Sequence, residues 1–148
     1  MKEMIYSDER KVELLYNNVY KNFHYYILNL GTHPTAYIEI PKKHSLFRKN
    51  YLDIEDIDVH GGLTYSSSKL YIAKNCILEN SWFIGWDYAH FDDYCGFLPF
   101  NNYDFKKKWI TEEIIKECKN VIEQIDNIKE KNNEWLWIYK RISKYKIK

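Results

Sequence analysis

No run of apolar residues in this chain approaches the roughly 20 that a bilayer-spanning helix requires, so no helical membrane span is expected. Neither sign of charge is in excess: 22 Lys and Arg stand against 21 Asp and Glu. Non-specific affinity for nucleic acid comes mainly from surplus basic charge, so general nucleic-acid binding is not expected. The basic stretches KKHSLFRK (42–49) and KRISKYKIK (140–148) read as solvated surface. Cysteine is sparse and odd in number, and Cys76, Cys95 and Cys118 form no CxxC or zinc-finger spacing. The opening MKEMIYSDERKVELLY is charged and has no apolar stretch of the kind a secretory signal carries. The expectation is a cytoplasmic protein with free thiols.

What is abundant is aromatic: 14 Tyr and 5 Trp among 148 residues, rings that suit a core, a binding cleft or an interface equally. A hydrophobic content of 45% favours a folded chain, and the length fits one domain, residues 1–148, able to bury a core.

Periodicity divides the chain into three blocks. Val12, Leu15, Tyr16 and Val19 recur at helical spacing, with Ser7 or Asp8 as cap, and predict a helix over 8–21. FHYYILNLG (23–31) and TAYIEIP (35–41) predict strands, each ended by Gly or Pro. The stretch 42–53 reads as a loop. In IEDIDVHGGLTYS an extended chain sets Ile57 and Val59 against Asp58 and His60, with Gly61 and Gly62 as a break or bulge before the strand resumes. WFIGWDYAH (82–90) is a strand in which Trp86, Tyr88 and His90 share one face and Asp87 the other, unless the chain turns between them.

From Thr111, a candidate N-cap followed by Glu112 and Glu113, the residues Ile114, Ile115, Cys118, Val121, Ile122, Ile125 and Ile128 form an apolar helical stripe. NEWLWIYKRI (133–142) predicts a further helix, with a Trp/Ile strand as the alternative. The fold class is α+β: a mainly antiparallel sheet from the central segments, with N-terminal and C-terminal helices packed on one face.

The segments IPKKH, DVHGGLTYS, WFIGWDYAHFDDY and KKWITEEIIKECKNVIEQI together resemble a family of small bacteriophage and bacterial proteins of unknown function. Its pattern pairs D-V-H-G-G-L-T-Y with W-x-I-G-aromatic-D-x-A-H, over roughly residues 36–125. The positions carried over are His44, Asp58, His60, Gly61, Gly62, Thr64, Tyr65, Gly85, Asp87, His90 and Asp93. Asp92 stands where the pattern has Gly, a place that would allow a tight turn with positive φ. The resemblance implies a phage-type accessory protein acting inside an infected cell and names no reaction.

Four chemistries fit these residues. His60, His90 and Asp87, with Asp58 or Asp93 nearby, supply the ligand types of a hydrolytic metal site and would suit a phosphoesterase, although no HExxH or HxH is present. A histidine oriented by Asp87 or Asp93 could move a proton, with Ser66 to Ser68 or Cys95 as unpaired nucleophiles. Alternatively Asp58, His60, Gly61, Gly62, Thr64, Tyr65, Trp86, Asp87, Tyr88, His90 and Asp93 form a pocket for a nucleotide-like small molecule, the rings stacking and the glycines exposing backbone N–H groups. Finally, the polar groups satisfy one another, and the protein binds a host protein through its surface, with the Trp135 and Trp137 stretch as interface. Recognition of a nucleotide-like ligand or a host factor, with a counter-defence role, is the leading expectation; the cofactor is unknown.

Overall fold

The computed structural model describes residues 12–95 and 106–146, with side chains described as far as residue 128. Seven strands and one long helix are present among them: β1 (Glu13–Tyr20), β2 (Phe23–Asn29), β3 (Pro34–Glu39), β4 (Tyr65–Ser67), β5 (Leu70–Ala73), β6 (Cys76–Leu78), β7 (Phe83–Asp87) and α1 (Thr111–Lys146). Five strands make an antiparallel sheet in the order β1-β2-β3-β7-β4, and β5-β6 form a separate hairpin. The α+β class and the mainly antiparallel sheet hold.

Two apolar clusters show how the layers stack. Phe23, Tyr25 and Ile27 of β2, Ala36 and Ile38 of β3, and Ile84 and Trp86 of β7 meet Ile114, Cys118, Val121, Ile122 and Ile125 of α1. The alternate residues Tyr26, Leu28, Tyr37 and Phe83 face the hairpin through Leu70, Ile72 and Leu78. Period-2 alternation therefore serves two buried faces, one under a helix and one under a hairpin. Each large side chain so buried contributes roughly 1.5–3 kcal/mol, which is ample to fix the register. Gly85 is required at the crossing: a Cβ there would lie 2.4 Å from the ring of Tyr37 and 2.7 Å from the Ala36 carbonyl.

The expected N-terminal helix is not there. Residues 13–20 are an edge strand paired with β2 through a two-residue turn, Lys21–Asn22, both at positive φ (49° and 69°) as a type I′ hairpin demands. Two of the residues that gave the helical spacing, Leu15 and Val19, are exposed, and a register shift between Leu14 and Tyr16 interrupts the strand's alternation. Val12 and Leu14 pack toward the hairpin, whereas Tyr16 and Tyr20 pack toward α1. The bulge moves the residues on either side of it to opposite faces of the sheet. Residues 8–11 of that expectation, with the cap at Ser7 or Asp8, lie outside the described residues.

The helix at 111 is as expected, with its cap one residue earlier. The Ile110 N–H donates to Glu113 Oε1 (3.3 Å), the reciprocal arm of a capping box. It runs unbroken through 133–142, so no separate second helix forms.

Candidate functional site

The segment from Ile54 to Thr64 is not the strand expected of Ile57 to His60. It crosses the first half of α1 as irregular chain, pinned by two helix side chains two turns apart. Gln124 accepts from the Asp58 N–H (2.7 Å) and donates to the Asp58 carbonyl (2.8 Å), and Glu117 accepts from the His60 N–H (2.9 Å). Ile54, Ile57 and Leu63 pack on the core and Val59 is buried in it. The backbone polar groups that a strand would pair with a neighbour are met by the helix instead. Gly61 and Gly62, at φ +69° and +82°, then turn the chain back toward β4, closed by a Gly62 N–H to Val59 carbonyl bond of 2.9 Å.

The other half begins where β7 ends. Asp87 Oδ1 accepts from the Ala89 N–H (3.1 Å), and a further turn closes from the Asp93 N–H to the His90 carbonyl (2.9 Å). Ala89 is therefore the turning point on which a single site depended. Asp87 and His90 come together, Oδ1 to Nε2 at 3.4 Å, rather than falling on opposite faces of a strand. The other Asp87 oxygen accepts from the Thr64 hydroxyl (3.0 Å). Asp92 does not adopt positive φ, so the turn needs no glycine there.

At the centre lies Asp93, whose carboxylate is almost fully buried. One oxygen accepts from His60 Nε2 (2.7 Å) and the His90 N–H (3.0 Å), and the other accepts from Trp109 Nε1 (2.8 Å). Burial pushes this carboxyl up, yet the bonds from His60, His90 and Trp109 outweigh it and hold the group below the usual carboxylate range. An ionised carboxylate only accepts, so His60 Nε2 donates to it and Nδ1 is turned away from Asp93. The His60 ring is stacked on Tyr88 (4.8 Å, 12°) and edge-on to Trp109 (4.8 Å) and His90 (5.3 Å). Tyr88 is completely buried, and its hydroxyl accepts from Trp86 Nε1 (3.0 Å).

His90 sits against Gly61 so closely that a Cβ on residue 61 would lie 1.9 Å from His90 Nε2. That nitrogen is buried without a hydrogen-bond partner among the described residues. The Asp87 contact at 3.4 Å is within reach of an ionic attraction to a protonated ring but is not aligned as a hydrogen bond. One nitrogen each from His60 and His90 and one oxygen from Asp93 lie within 4.8 Å of one another.

The structure thus unites His60, Gly61, Asp87, His90 and Asp93, with Thr64 and Gly62 at the margin. It sets the other sequence-derived residues elsewhere. Trp86 and Tyr88 are core residues with no surface to offer a ligand. Tyr65 packs edge-on against Tyr37 (5.0 Å) on the hairpin side, and its hydroxyl donates to the Lys69 carbonyl (2.6 Å). Asp58 is exposed and is held by its backbone. His44 has a structural position: Nδ1 accepts from the Leu46 N–H (3.0 Å), so Nε2 donates to the Ile125 carbonyl of α1 (3.0 Å).

Sequence reasoning missed Trp109, Glu117 and Gln124. The seven-residue interval between the last two, two turns on one helix face, was the available signal. Beside the cluster, a cleft of about 250 Å³ is lined in part by Asn29, His33, Tyr94, Lys108, Trp109 and Thr111, so Trp109 belongs to both.

The fold and site together define a small α+β protein with a buried carboxylate that orients a partly exposed histidine beside a second one. Compared with family models, curated proteins and solved structures, the chain matches none.

Proposed function

We propose that the protein recognises a small nucleotide-like ligand at the His60–His90 surface and the adjoining Trp109 cleft. One observation carries this reading: a nearly inaccessible carboxylate, Asp93, is spent on fixing the tautomer and orientation of an imidazole that keeps about a quarter of its surface open. Burying an ionised carboxylate is costly unless it is fully bonded, and stability alone is served as well by apolar packing. An oriented imidazole meets a phosphate or hydroxyl with a defined donor or acceptor. Half-buried Trp109 and Tyr94, rather than Trp86 and Tyr88, are the rings on which a base would stack. The cleft is slightly smaller than the roughly 300–1,000 Å³ of drug-sized pockets, which suits one moiety of such a ligand.

A counter-defence role in an infected cell is supported by the phage-type resemblance and belongs to the same proposal. Binding of a host protein is the second form of it; the Trp135 and Trp137 stretch that would carry it lies outside the described side chains.

The test is calorimetry of the full chain, in chelator, against cyclic and ADP-ribose-type nucleotides. The expected result is stoichiometric binding that His60→Ala abolishes, with the ligand recovered intact after denaturation. Recovery of a hydrolysed product when Zn²⁺ or Mn²⁺ replaces the chelator supports a metal-dependent phosphoesterase instead. Binding unaffected by His60→Ala and Trp109→Phe refutes this placement of the site.

A further inference from the structure

We infer that His60, His90 and Asp93 form a binding site for one divalent transition-metal ion, of the zinc or ferrous-iron type. This goes beyond the ligand reading and does not replace it: the imidazoles meet the ligand in the metal-free protein, and a bound ion would add a cationic contact at the same place.

The donor set comes first. Two imidazole nitrogens and one carboxylate oxygen, all within 4.8 Å, are the two-histidine, one-carboxylate combination that suits zinc and non-haem iron. An all-oxygen preference makes magnesium and calcium poor occupants. With metal–ligand bonds of roughly 2.0–2.2 Å, tetrahedral donors stand about 3.3 Å apart. The His60–Asp93 pair, at 2.7 Å, would open slightly and the His90 ring would move inward to reach that spacing.

The surroundings supply what such a site requires. The second oxygen of Asp93 is held by Trp109 Nε1 (2.8 Å), an outer bond of the kind that fixes a ligating carboxylate. His90 Nε2 has no hydrogen-bond partner to give up among the described residues. Gly61 leaves the space into which the His90 ring fits. Taking His60 Nε2 onto the metal moves its ring proton to Nδ1, so the imidazole stays neutral.

Asp87, named from the sequence as third ligand, is replaced by Asp93. Its oxygens serve Thr64 and the Ala89 N–H, and it lies beside His90 as an outer partner. Three protein ligands, two of them on partly exposed rings, are one fewer than a closed four-coordinate site uses, as in a site that receives an exogenous ligand. One carboxylate against a divalent ion leaves the centre positive, which favours an anionic oxygen there.

The experiment is titration of untagged, chelator-stripped full chain with Zn²⁺ and Co²⁺ alone. The expected result is one ion per chain, an imidazole-coordinated Co²⁺ spectrum, and loss of affinity by roughly tenfold or more in His60→Ala and in His90→Ala. Asp58→Asn leaves affinity unchanged. His90 is half-exposed, so His90→Ala tests the site even if His60→Ala disturbs folding. Absence of stoichiometric binding, or binding that survives His90→Ala, overturns the proposal. Because no nucleotide is present, that failure is separate from failure of the calorimetry in chelator.

Discussion

Replacing Gly61 and Gly62 one at a time with alanine separates a strained turn from a built site. Both glycines have positive φ, +69° and +82°, where an L side chain costs roughly 1–2 kcal/mol. Restricting the unfolded chain returns roughly 0.4–1 kcal/mol of this. At Gly62 nothing lies within 4 Å of an added Cβ, so Gly62→Ala loses only the remainder, about 1 kcal/mol. At Gly61 the same methyl would lie 1.9 Å from His90 Nε2 and 2.4 Å from two further ring atoms. The imidazole must swing away or the turn must open, adding roughly 1–3 kcal/mol of overpacking. Gly61→Ala is therefore expected to be the more destabilised of the pair by about 1–3 kcal/mol in urea unfolding. Only Gly61→Ala should also shift the imidazole NMR signals of His90. Equal losses in the two variants, with His90 unmoved in both, would refute the proposed packing of His90 on Gly61.

Trp109→Phe keeps the ring but removes the 2.8 Å bond to Asp93, so it should cost about 1–3 kcal/mol in denaturant unfolding. Gln124→Ala releases both backbone groups of Asp58, and roughly 1–2 kcal/mol of stability should go with faster amide exchange at Asp58 and His60. Cys76 is exposed, whereas Cys118 is completely buried with its thiol pushed up by that burial. Iodoacetamide on the native protein should label Cys76 and spare Cys118, and equal labelling would mean that α1 does not pack as described.

The parts legible in the sequence were those whose burial repeats regularly. The stripe from Ile114 to Ile125, the apolar run in 23–31 and the alternation in 35–41 mapped directly onto α1, β2 and β3. β1 was misread because one bulge shifts its phase, and because the Lys21–Asn22 turn lacks the Asn-Gly signature of its type. The 54–64 segment was misread because its hydrogen-bond partners, Glu117 and Gln124, lie 57 and 66 residues away in sequence.

The site was legible as residue types and not as partners. His60, Asp87, His90 and Asp93 were all named, yet the sequence offered Asp58, Asp87 and Asp93 equally as companions. Only the turn after Asp87 selects Asp93 for His60 and leaves Asp87 for His90 and Thr64. Aromatic residues gave no guidance of their own. Tyr88 and Trp86 continue the alternation of β7 into the core, whereas Trp109 reaches Asp93 through the bridge between Asp93 and Lys107.

The central claim is that the two sequence segments meet in one site through His60 and Asp93. A double-mutant cycle of His60→Ala and Asp93→Asn, read as unfolding free energy, tests this most directly. The 2.7 Å bond to a buried carboxylate predicts a coupling of roughly 1–3 kcal/mol, so the double variant should lose distinctly less than the two single losses combined. Losses that add to within about 0.5 kcal/mol would mean that the two residues do not act on one another, and would contradict the account.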